Sequence, residues 1–149
     1  MATRSTIAVR YGDTIKAVYC HWDGYVEHNG FILTHCYNDS VSASKLISMG
    51  DISSLGAEIG EQKELDKERT DEDYVDLGGI TSVNKQCMFY NRDRGELTTW
   101  KSFSTVDEWM EHYESSWCEV FYLFENGEWT YSTGGTFKTV AEGLKKETA

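Results

Sequence analysis

The chain has 149 residues, with 25 acidic against 14 basic side chains, a net charge of −11, and 40% hydrophobic content. That charge opposes general binding to nucleic acid phosphates and favours solubility or a basic partner surface. The apolar content argues against disorder, and no apolar run approaches the roughly 20 residues of a membrane span.

The length predicts a single domain over residues 1–149. The opening MATRSTIAVRYGD lacks the apolar core and cleavage site of a secretory signal. Cys20, Cys36, Cys87 and Cys118 are widely spaced and are expected as reduced thiols in a cytosol. STIAVR and IKAVYCH flank Gly12-Asp13, which reads as a two-residue hairpin turn. Paired residues then sum to 25: Ile7 opposes Val18, Ser5 opposes Cys20, and Arg4 comes to stand beside His21 on one face.

WDGYVEHNGFILTHCYND turns helical, with Asp23 as the expected N-cap. Val26, Ile32, Leu33, Cys36 and Tyr37 form its apolar stripe, and Gly30 is a weak point. SVSASKLISM follows Asp39 as a second helix and stops at Gly50. GDISSLG is expected to be irregular. Residues 58–76, EIGEQKELDKERTDEDYVD, read as a solvated loop or a short helix. CMFYNRDRGELTTWKSF is expected as a hairpin turning at residues 92–95. STVDEWMEHY is a helix with Ser104 as N-cap and Asp107 near the capping-box position. CEVFYLF-ENG-EWTYST is a hairpin on Asn126-Gly127, and TVAEGLKKE a terminal helix. The fold class is α+β, a mostly antiparallel sheet of about six strands with about four helices.

CHWDGY, residues 20–25, is the richest stretch chemically. At a strand-to-helix junction, Trp22 or Tyr25 could stack on a flat ring. His21 and Asp23 could hydrogen-bond it, and helix N–H groups could hold an anion. The plain alternative makes Asp23 a cap, Trp22 core and Cys20 a buried apolar residue. Catalysis by Cys20 would need a base, and His21, adjacent on a strand, points to the opposite face, so no catalytic residue is nominated. Without Cys-x-x-Cys or His-x-x-x-His spacing, no metal site is expected, nor any cofactor. The glycine-flanked GDISSLG could wrap a ligand with Ser and backbone donors or simply connect a helix C-cap to the next element. The acidic 58–76 stretch could imitate a phosphate backbone or be plain surface.

TRSTI at residues 3–7, YCHWDGY at 19–25 and GDISSLG at 50–56, in this order, resemble a group of small proteins encoded by tailed phages and prophages; ENGEW near the end does too. The resemblance implies a phage accessory protein in the host bacterial cytoplasm, of the kind that counters bacterial immunity. It would do so by sequestering a nucleotide-derived signalling molecule. The alternatives are direct inhibition of a host defence protein, or enzymatic degradation of the signal. In the sequestration reading Trp22 and Tyr25 stack on a base and Arg4 pairs a phosphate. His21, Asp23, Asn29, Asp51, Ser53 and Ser54 supply hydrogen bonds. Self-association is left open.

Overall fold

The computed structural model describes residues 3–62, 70–78 and 83–148. Strands β1 (Ser5–Tyr11) and β2 (Thr14–Cys20) form the expected hairpin. Its pairing runs from Tyr11 with Thr14 to Ser5 with Cys20, the sum of 25 at every step. Gly12 has a φ of +58°, the positive value that a tight hairpin turn requires at its first position.

Among the described residues the chain has five α-helices: α1 (Phe31–Cys36), α2 (Ser40–Ser48), α3 (Tyr90–Arg94), α4 (Val106–Glu114) and α5 (Val140–Thr148). The further strands are β3 (Ile52–Ser54), β4 (Tyr74–Val75), β5 (Val83–Asn84), β6 (Met88–Phe89), β7 (Lys101–Phe103), β8 (Val120–Glu125), β9 (Glu128–Ser132) and β10 (Lys138–Thr139). Eight of these build one sheet in the order β10-β9-β8-β1-β2-β3-β6, with β7 also on β2; β4 and β5 pair apart. The α+β class holds, and most pairings of the sheet are antiparallel. The sheet is nonetheless mixed, because β1 lies parallel to β8 and β2 parallel to β3. Among the described residues it has eight strands rather than about six, with five helices rather than about four.

The sheet is covered on both faces. On one, Ile7, Val9, Val18, Cys20, Tyr122 and Trp129 pack with Ile32, Leu33, Leu46, Ile47 and Val140 of the helices. On the other, Ala8, Ile15, Ala17, Phe121 and Leu123 pack with Trp109 and Tyr113 of α4. The indole N–H of Trp109 donates to Thr6 Oγ1 at 3.0 Å, and that hydroxyl donates to the Val18 carbonyl. The polar atom of the largest buried side chain is therefore satisfied, as burial demands.

Several local expectations shift. Asp23 is not a helix cap: it has a φ of +55°, and the helix opens at Tyr25 with a π-helical turn, Val26–Gly30, leading into α1. Gly30 is a close-contact position, since a Cβ there would lie 2.8 Å from Val26 and 3.1 Å from Val140. Asp39 does cap α2, accepting the Ser42 N–H at 2.8 Å. GDISSLG is not irregular throughout, for its centre is β3. Residues 87–103 do not form a hairpin. α3 stands between β6 and β7 and ends on Gly95 at φ +68°, and β7 pairs with β2 while β6 pairs with β3. The cap of α4 sits one residue later than expected. Thr105 Oγ1 accepts the Glu108 N–H, and the Glu108 carboxylate reaches back to the Ser104 N–H, so Glu108 rather than Asp107 is the acidic residue three places after the cap. Of the charged stretch 58–76, residues 63–69 lie outside the described residues; Asp71–Asp73 form a 3₁₀ turn leading into β4. No described helix is long and apolar enough to cross a membrane.

Candidate functional site

One end of the sheet carries most of the polar side chains nominated above. β1 and β8, being parallel, both begin there, and β2 ends there. Backbone hydrogen bonds extend each strand past its formal limit. Glu119 N–H donates to the Arg4 carbonyl at 2.8 Å, His21 N–H to Ile52 O at 3.0 Å and Trp22 N–H to Ser53 O at 3.1 Å. The chain then reverses at Asp23, and Gly24 N–H donates to Thr3 O at 2.8 Å. A Cβ on Gly24 would lie 2.7 Å from both Ser5 Cβ and Thr3 O. Only glycine lets CHWDGY wrap this tightly around the start of β1. The Arg4–His21 juxtaposition follows from the hairpin register continued by one step.

Tyr19 and His21, two apart on a strand, share a face, and Tyr19 Oη lies 2.7 Å from His21 Nδ1. Burial pushes the Tyr19 phenol up to about 12, against a lowering pull from Arg4. Burial, aided by Arg4 and Arg94, holds the His21 imidazole below its ordinary value, so it is neutral at pH 7. In the tautomer in which the phenol donates to Nδ1, Nε2 carries the proton and is the ring's remaining donor. Trp22 is 46% exposed, and its ring meets His21 edge-on at 4.8 Å. Arg94 stacks over Tyr90 at 5.2 Å and pairs with Glu96 at 3.2 Å. Arg4 is the exception among the four described arginines: Arg10, Arg92 and Arg94 each hold a carboxylate, and Arg4 forms no ion pair among the described residues. A guanidinium without a carboxylate among the described residues thus stands near a neutral histidine whose ring meets an exposed indole, on a protein of charge −11.

The structure sorts the nine nominated residues. Arg4, His21, Trp22 and Tyr25 are at least partly exposed at this end, Tyr25 at 43%. Asp23 is partly exposed and hydrogen-bonds Tyr25. Asn29 lies inside the fold rather than at its surface. It is fully buried, its amide donating to Trp22 O at 3.3 Å and to Cys20 Sγ at 3.4 Å, and its Oδ1 lies 2.8 Å from His28 Nδ1. Asp51 accepts the Tyr19 N–H at 2.9 Å, occupying the gap on the edge of β2 between its pairings with β7 and β3. Burial raises its carboxyl pKa. Ser53 is buried and hydrogen-bonds Tyr90; Ser54 is half-buried beside the register shift between β3 and β6. Tyr19 and Arg94 were not nominated. Strand alternation could have placed Tyr19 with His21; Arg94, from α3, had no local signal.

Cys20 is fully buried, and burial pushes its thiol up to about 12, so it offers no thiolate at neutral pH. Among the described residues, no three His, Cys, Asp or Glu side chains gather as a metal ion would require. Clefts among the described residues lie elsewhere. One of about 510 Å³ runs between α2 and residues 57–61, and one of about 440 Å³ lies between the hairpin tips and α2; neither is lined by any of the nine. Comparison with known protein families, with curated proteins and with solved structures finds no match.

Proposed function

We propose that the protein binds a nucleotide-derived anion at the Arg4–His21–Trp22 end of the sheet and holds it without changing it. In the setting implied by the phage-protein resemblance, this removes a signalling molecule of bacterial immunity in the host cytoplasm. The observation that carries the reading is Arg4. It is the one described arginine without a carboxylate partner among the described residues, in an acidic chain, set beside the Tyr19–His21 pair. An arginine in that state is a ready partner for a phosphate. Trp22 supplies a stacking face for a base, and His21 Nε2–H a neutral donor. Trp22 and Tyr25 remain the stacking pair of this reading, with Asp23 and Ser54 at its margin.

Degradation of the signal is disfavoured by the burial of the Cys20 thiol. Direct inhibition of a host protein is the second reading. It is favoured by large apolar side chains left in solvent, Leu97 at 96% and Val41 at 78% exposure, on a surface whose charge suits a basic partner.

The test is incubation with a panel of adenine and guanine nucleotides (mono-, di- and cyclic forms), removal of excess, heat denaturation and analysis of what is released. Intact nucleotide supports sequestration. Altered nucleotide overturns it in favour of an enzyme. Nothing released overturns it in favour of protein inhibition.

A further inference from the structure

Three described residues other than glycine have positive φ: Asp23, Trp117 and Asn126. Asn126 sits with Gly127, φ +53° and +81°, in the turn between β8 and β9, where such values are required. The other two flank the first residues of β1. Asp23 precedes Gly24, whose N–H holds Thr3 O; Trp117 precedes Cys118 and Glu119, whose N–H holds Arg4 O. The positive charge of Arg4 is felt at the Cys118 thiol, one residue from Trp117.

Trp117 is the less expected of the two. It has a φ of +68° at the C-terminal end of α4. Its N–H donates to Glu114 O, and the next N–H, Cys118, reaches back to Tyr113 O. That is the left-handed position after a helix which glycine normally fills. A bulky side chain there is strained, and this one gains no burial in return, being 75% exposed. Strained backbone of this kind is retained where a site uses it.

We infer that Trp117 is an aromatic contact of the Arg4 site, held in solvent to receive the flat ring of the bound nucleotide; this rests on the function proposed above. Trp22 leaves the sheet on the β2 side of β1 and Trp117 comes just before the chain enters it on the β8 side, so the backbone of Arg4 lies between the two segments that carry these exposed indoles. The site then takes a ligand that presents an anionic group together with a stackable ring, and a bare phosphate lacks half of what it offers.

The substitution Trp117→Gly separates this role from a structural one, because glycine is the residue the backbone prefers at that φ. The probe is the tightest binder of the nucleotide panel, titrated calorimetrically into wild type, Trp117→Gly, Trp117→Phe and the turn control Asn126→Gly, each also melted. Expected are a melting temperature for Trp117→Gly equal to or above wild type, an affinity at least tenfold weaker, near-wild-type affinity in Trp117→Phe and unchanged affinity in Asn126→Gly. Wild-type affinity in Trp117→Gly overturns the inference and leaves the proposed function standing. A lowered melting temperature in Trp117→Gly also overturns it, since Trp117 is then packing. No binding of any nucleotide by wild type overturns both.

Discussion

Replacing Arg4 by glutamine removes a charge while keeping a polar side chain. Because Arg4 forms no ion pair among the described residues, folding stability should move by less than about 0.5 kcal/mol, the usual range for a substitution away from packed or paired groups. At roughly 2–4 °C per kcal/mol for a chain of this size, the melting temperature should stay within about 2 °C. Binding is expected to respond far more. A hydrogen bond to a charged group is worth about 1.5–3 kcal/mol, and each ~1.4 kcal/mol is one decade in affinity. The Arg4→Gln affinity for the tightest panel nucleotide should therefore fall by roughly 10- to 150-fold. The substitution also has a signature without ligand. Arg4 helps hold the His21 imidazole below its ordinary value and pulls the Tyr19 phenol down, so both pKa values should rise in the variant. Calorimetric titration measures the affinity, and NMR titration of the imidazole and phenol resonances measures the pKa values. A His21 pKa that does not move refutes the juxtaposition read from the hairpin register. A His21 pKa that rises while affinity stays at the wild-type level refutes Arg4 as the phosphate partner.

The free His21 is held neutral by burial and by Arg4 and Arg94, and a bound anion favours its charged form, so binding takes up a proton. Affinity should rise as pH falls through the bound-state pKa and level off once the free imidazole, whose own pKa is depressed, is itself protonated; calorimetry across pH 5–8 on wild type and His21→Gln checks this, a flat wild-type profile counting against His21 as a contact. For stability the sign is the reverse: a depressed folded-state pKa gives a contribution present above 6.5 and lost as pH falls through the folded value, which melts of wild type and His21→Gln at the same pH values resolve. Asn29→Ala leaves a small void and strips partners from Trp22 O, Ser5 Oγ and His28, so it should cost about 2–4 kcal/mol in urea unfolding; a loss under 0.5 kcal/mol would return Asn29 to the list of exposed ligand groups. Cys20 and Cys87, fully buried with raised pKa values, should resist iodoacetamide in the native protein while Cys36, partly exposed, reacts first; mass mapping of rapid Cys20 alkylation at pH 7 would reopen the enzymatic reading.

What the sequence determined by itself was what short range can specify. Gly12-Asp13 and Asn126-Gly127 fold the chain back within two residues, and the turn sets the register of everything paired behind it. That is why Arg4 could be set beside His21 without a structure. Asp39 caps α2 through its own neighbour three residues on. The apolar stripe Val26, Ile32, Leu33 and Tyr37 is buried as its spacing requires. Only the tertiary structure decided what depends on partners distant in the chain. β8 lies parallel to β1 across more than a hundred residues, and β7 leaves β6 for the free edge of β2; no local pattern distinguishes such pairings from a hairpin. The same long-range packing buries Asn29, whose polarity in sequence suggested exposure. It also brings Arg94 from α3 to act on His21. The left-handed backbone of Asp23 and Trp117 belongs here too. Trp117 adopts it in the C-terminal turn of α4, where the Cys118 N–H reaches back to Tyr113 O and glycine is the usual residue, so neither side chain announced it in the sequence.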